Sequence, residues 1–154
     1  MKTFSFPLES LRTLRKQREQ SAQQRYARAL AHCEAAQRAL QLANEDLTAS
    51  QAAVSEELNR GTAAGRIVSL RTWCTVLEIR RNERQAALVE AGRAADEAFR
   101  FLNAAVRERE TLDRFHEKSH RAWVLECQQE EQKMFDELAV QRQSGSAMQL
   151  TSLN

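Results

Sequence analysis

An all-α fold, a long two-helix antiparallel coiled-coil hairpin with the C-terminal helix longer than the N-terminal one, is what this sequence predicts, on three observations. Helix-breaking residues are scarce and clustered, the intervals between them consist of strong helix formers, and apolar or small residues recur every seven positions. Each of these bounds one part of the architecture.

The breakers are one proline and four glycines: Pro7, Gly61, Gly65, Gly92 and Gly145. Pro7 suits a first helical turn, where its missing N–H removes no helical hydrogen bond, and it biases Phe6 toward an extended conformation. From Leu8 to Arg60 neither Gly nor Pro occurs, so one helix is expected over about residues 7–60. Gly61-Thr62-Ala63-Ala64-Gly65 offers two residues that tolerate positive φ, which predicts a reversing turn over 61–66. A second helix follows over about 67–142, ahead of Ser144-Gly145-Ser146, and residues 143–154 read as a flexible tail. The hairpin thus occupies residues 1–142.

Heptad spacing in helix one runs through Tyr26, Cys33, Leu40, Leu47 and Val54, with Ala22, Ala29, Ala36, Ala43 and Ser50 four residues earlier in each repeat. Helix two shows Leu70, Leu77, Ala91, Ala98, Ala105 and Leu112, accompanied by Cys74, Leu88, Ala95, Leu102 and Trp123 and interrupted by Arg81, Arg84 and Arg109. Alanine at alternate positions lets helix axes approach at the low end of the roughly 8–10 Å range. Gly92 reads either as part of that close approach or as a weak point costing about 1 kcal/mol relative to Ala. A turn centred near Ala63 places residue i opposite about residue 127 minus i, so Tyr26 should face the Phe101 region. Helices of roughly 80 and 110 Å follow from the rise per residue, leaving an overhang on helix two that carries Met134, Phe135 and Leu138. Phe115 and Trp123 should pack against the start of helix one, with Leu8, Leu11 and Leu14.

Composition agrees with an elongated, narrow-cored molecule, since 6% of the residues are aromatic and 29% charged. A net charge of +2 argues against nucleic acid as a partner, because phosphate binding needs a concentrated basic face. The charge is polarised: Lys2, Arg12, Arg15, Lys16, Arg18, Arg25 and Arg28 outnumber Glu9 and Glu19 near the start, whereas Glu126 to Leu138 is acidic. Cys33, Cys74 and Cys127 are odd in number, far apart and without a CxxC pair, which fits a reducing, cytoplasmic location. No apolar run reaches the roughly twenty residues that span a bilayer, so no direct membrane insertion is expected.

The sharpest catalytic motif is His116-Glu117-Lys118-Ser119-His120, an HExxH pattern with both imidazoles on one helix face. Catalytic zinc needs a third protein ligand and a water-excluding cleft, and a two-helix hairpin supplies neither, so the expectation is no enzyme, no catalytic residue, no metal site and no cofactor. Gly61–Gly65 lacks the Gly-Lys-Ser/Thr ending of a phosphate loop and follows no strand. Cys33 and Cys74 fall on the seam as small apolar residues, Cys127 is expected to be exposed, and His32 solvated.

Several segments resemble the FliJ family of flagellar export proteins and, more distantly, the stalk proteins of virulence type III secretion. They are Phe4-x-Phe6-x-Leu8-x-x-Leu11, the turn from Gly61 to Arg66 followed by Leu70, Trp73 and Leu77-Glu78, Leu112-x-x-Phe115-x-x-Lys118, and Gln132-Lys133-Met134-x-Asp136-Glu137-Leu138-Ala139. The resemblance implies a central stalk similar to the rotor stalk of rotary ATP synthases, binding and stimulating a hexameric type III export ATPase. It also implies contact with the cytoplasmic domain of the export gate membrane protein and with export chaperones, at the cytoplasmic face of the inner membrane. Carried over by position, the ATPase-binding residues are Phe4, Phe6, Leu8, Leu11, Gln132, Lys133, Met134, Asp136, Glu137 and Leu138. The export-gate-binding residues are Trp73, Leu77, Arg80 and Arg84, of which the two arginines depart from the smaller or less charged residues usual in the family. The other reading of the same heptads is a generic coiled-coil scaffold or cargo adaptor without an ATPase partner.

Overall fold

The computed structural model describes residues 3–151, with side chains described for 3–142. Two helices and no strand occur among the described residues: α1, Glu9–Arg60, and α2, Ala64–Thr151, which pairs with α1 as an antiparallel hairpin. The α2 backbone continues past the end expected at Arg142; the side chains of 143–154 and the backbone of 152–154, where the tail was expected, lie outside the described residues. By contacts the chain divides into two units, one of Gln17–Val106 and one of Met1–Lys16 with Arg107–Asn154.

Within Gln17–Val106 the chain reverses at Gly61, the one described residue with positive φ, at 72°. The Gly61 amide donates to Leu58 O and the Thr62 amide to Glu57 O, both at 3.3 Å, which is the paired bonding of a Schellman stop. That closure uses one glycine, so Thr62 and Ala63 suffice as connector and α2 begins at Ala64, earlier than expected; Gly65 is helical. Glu57 ties the turn together, accepting from the Thr62 hydroxyl and pairing with Arg66 at 3.2 Å. The Thr62 hydrogen bond, opposed by burial and aided by the charges of Arg66 and Arg60, holds its carboxyl below the ordinary range.

The shorter turn also resets the register. Tyr26 meets Phe99 with ring centroids 5.3 Å apart, Arg25 lies 5.2 Å over Phe101, and Arg81 donates to Asn44, so residue i faces about residue 125 minus i. The less exposed residues of α1 alternate three and four apart, from Ala22 and Tyr26 through Ala43 to Val54 and Glu57, which is the predicted heptad. On α2 the same alternation holds Ile67, Leu70, Cys74 and Leu77, fails at the exposed Arg81 and Arg84, and resumes at Leu88. The most buried positions are Leu77 and a run of small residues, Ala91, Ala95 and Ala98, with Ala43 across from Leu77's end of the seam. Buried methyls contribute about 0.8 kcal/mol each, so cohesion here is spread thinly over many turns. Ser50 Oγ and Cys74 Sγ share a hydrogen bond at 3.2 Å across the seam.

Gly92 lies beside the seam and a Cβ added to it would meet nothing within 4 Å, so close approach does not require this glycine.

Candidate functional site

In the unit of Met1–Lys16 and Arg107–Asn154, Pro7 starts the helical path: Pro7 and Leu8 form a turn closed by the Glu9 amide on Phe6 O at 3.2 Å, and α1 proper begins at Glu9. Ahead of it residues 3–6 are non-helical, and an extended segment points residues two apart to the same side. Phe4 and Phe6 accordingly both meet α2. Phe4 packs edge-on to His116 and His120, with centroids 5.5 and 5.0 Å away, and tilts against Trp123 at 5.7 Å. Phe6, 7% exposed, packs against Phe115 and His116. Phe115 and Trp123 thus receive the N-terminal phenylalanines, while Leu8, Leu11 and Leu14 are 36, 36 and 43% exposed and the half-buried line on α1 starts at Arg12 and Arg15. Cys127, expected to be exposed, is half-buried.

Below this cluster the seam is polar. Arg12 Nε donates to Asp113 Oδ1 and Arg109 Nη1 to Asp113 Oδ2, each at 2.7 Å, and Arg15 pairs with Glu108. Arg109, an interruption in the sequence pattern, thus has its charge met by a carboxylate one turn on. The Arg12 hydrogen bond holds the Asp113 carboxyl below its ordinary value against the opposing effect of burial, with further help from the Arg109 hydrogen bond and both positive charges. The same contact raises Arg12.

Beyond Cys127 every residue of α2 whose side chain is described, 128–142, is exposed. From Trp123 a strictly alternating heptad would give Glu126, Glu130, Lys133 and Glu137, all charged and exposed, whereas the half-buried line steps to Cys127. Met134 and Leu138, seven and eleven residues beyond Cys127, lie on the same face of the helix as that residue. Met134, Phe135 and Leu138 are 55, 65 and 47% exposed. Of the ten positions carried over to the ATPase end, Gln132, Lys133, Met134, Asp136, Glu137 and Leu138 therefore share this bare end, Leu8 and Leu11 are exposed at the start of α1, and Phe4 and Phe6 are engaged with residues 115–123. Phe135 belongs with the bare end although the family pattern leaves it unspecified.

In the other unit Trp73 is 48% exposed beside Leu77, which is 3% exposed, in an open groove also lined by Asp46, Ser50, Leu70 and Arg80. Arg80 and Arg84 are exposed on the same stretch of α2. Leu77 can support a surface there but cannot itself be that surface.

Among the described residues no group of three or more His, Cys, Asp or Glu is placed to hold a metal ion, so the HExxH pattern finds no third ligand. No described helix is long and apolar enough to cross a membrane. No curated protein and no solved structure matches the chain significantly. The family described as flagellar FliJ protein matches residues 4–147. A match spanning nearly the whole hairpin, on a chain folded as two paired helices, shows that this protein belongs to the FliJ family, a component of the flagellar export apparatus.

Proposed function

We propose that the chain is the central stalk and adaptor of a flagellar type III export ATPase. The supporting observation is the bare end of α2, where Met134, Phe135 and Leu138 form an exposed apolar stripe beyond Cys127, the last half-buried residue whose side chain is described. Large apolar side chains left this exposed on a helix end fit the surface of a partner. The stalk inserts this end into the hexameric ring and raises hydrolysis through higher affinity for the active, assembled ring than for its separated subunits. None of its residues performs chemistry. The groove at Trp73, with Arg80 and Arg84 at its margin and Leu77 holding Trp73 from below, takes the cytoplasmic domain of the export gate. Export chaperones are the remaining partners, and the site of action is the cytoplasmic face of the inner membrane.

The test is hydrolysis by the cognate export ATPase with and without the purified chain. Added chain should raise the rate, and the double substitution Met134→Asp, Leu138→Asp should abolish the gain with helicity unchanged, since both side chains are exposed. An ATPase indifferent to the wild-type chain overturns the proposal and favours a coiled-coil scaffold.

A further inference from the structure

His116 and His120 lie one helical turn apart on α2 with their ring planes 11° from parallel and their centroids 6.5 Å apart. Neither imidazole has a hydrogen bond or ion pair with a described residue. The nearby carboxylates are occupied: Glu117 pairs with Arg121, and Asp113 with Arg12 and Arg109. Across both imidazoles sits Phe4, 82° from the plane of His116 and 87° from that of His120.

We infer that His116 and His120 form a two-imidazole site for a borderline divalent transition-metal ion, and that ion binding competes with the seating of Phe4. Histidines four apart on a helix can share one ion, each nitrogen about 2.0–2.1 Å from the metal, which requires the two nitrogens to come within about 4 Å of each other. Rings whose centroids stand 6.5 Å apart must tilt together to do this. The side chain resting on both is Phe4, so the tilt loosens its edge-on contacts and frees the segment ahead of Pro7. With two protein ligands the ion keeps water at its other positions and exchanges readily, in contrast to a closed structural site. The coupling runs both ways by linkage: the ion weakens the Phe4 contact as much as that contact weakens the ion.

The experiment is calorimetric titration of the full, tag-free chain with Ni²⁺, an ion suited to imidazole nitrogen. One ion should bind per chain. His116→Gln and His120→Gln should each weaken binding by about tenfold or more, because either leaves a single imidazole. His32→Gln and Cys127→Ser should leave it unchanged. Phe4→Ala should tighten it severalfold, and far-ultraviolet circular dichroism should show the same helix content in every variant. Binding undiminished in His116→Gln or His120→Gln, or lost in His32→Gln or Cys127→Ser, overturns the site; Phe4→Ala without effect, or weakening, overturns the competition.

Discussion

Replacing Asp113 with Asn removes the negative charge that answers two guanidinium groups while keeping the side chain's shape. Asp113, Arg12 and Arg109 retain 28, 22 and 27% of their side-chain exposure, which places the triad between a buried ion pair and a surface one. Hydrogen bonds to charged groups contribute about 1.5–3 kcal/mol when buried, and exposed pairs about 0–1. Solvent screening at this exposure, and the acceptor oxygen that Asn retains, put the loss at about 1 kcal/mol. The pH dependence has a definite sign. The carboxyl's folded value lies below the ordinary 3.8, so its contribution is fully present above that value and disappears as pH falls through the lower, folded one. Urea unfolding followed by circular dichroism at about pH 7 should therefore separate wild type from Asp113→Asn by about 1 kcal/mol, and the gap should narrow as the pH is lowered below 3.8. A double-mutant cycle with Arg12→Gln should return most of the difference as coupling. Identical midpoints at neutral pH, or a gap undiminished in acid, would refute the assignment of this triad as a stabilising contact.

Two glycines make opposite predictions. Gly92→Ala should stabilise the chain by about 1 kcal/mol, visible as a higher Tm, since the helix gains propensity and the new methyl meets nothing within 4 Å; a lower Tm would mean the seam needs the missing side chain. Gly61→Ala should destabilise by about 1 kcal/mol, because φ of 72° strains an L-residue, while Gly65→Ala in the same turn region should be neutral or stabilising; equal effects from the two would contradict the single-glycine stop.

The seam was readable in advance because burial in a two-helix structure follows one periodicity. Every α1 seam position named from the sequence between Ala22 and Val54 is half-buried or buried. The register was legible only to within a couple of residues, since it depends on how many residues the turn consumes, and two glycines four residues apart left open which would carry the positive φ. The aromatic platform was not legible as such. His116 and His120 attracted attention as a zinc motif, whereas their observed neighbours come from a segment outside any helix, to which heptad reasoning does not apply. The signal that could have found it is Phe4-x-Phe6 ahead of a proline: alternation by two on an extended segment puts two large rings on one side, and such a pair needs a surface.

The interruptions in the heptad divide into two physical kinds, and the difference bears on function. Arg109 is an interruption that the fold absorbs, because Asp113 meets its charge and Arg12 joins from the other helix. Arg81 and Arg84 are left exposed at seam positions, where cohesion must come from Leu77 on one side and Leu88 on the other. The end of α2 is a third case, since there the line through Cys127, Met134 and Leu138 stays apolar but is exposed beyond Cys127. A step of four followed by four, from Ser119 through Trp123 to Cys127, is the kind of irregularity that locally unwinds a coiled coil, and it falls where the contacts of Phe4 run out. The spacing of α2 itself thus sets the line on which Met134 and Leu138 fall, upstream of the bare end.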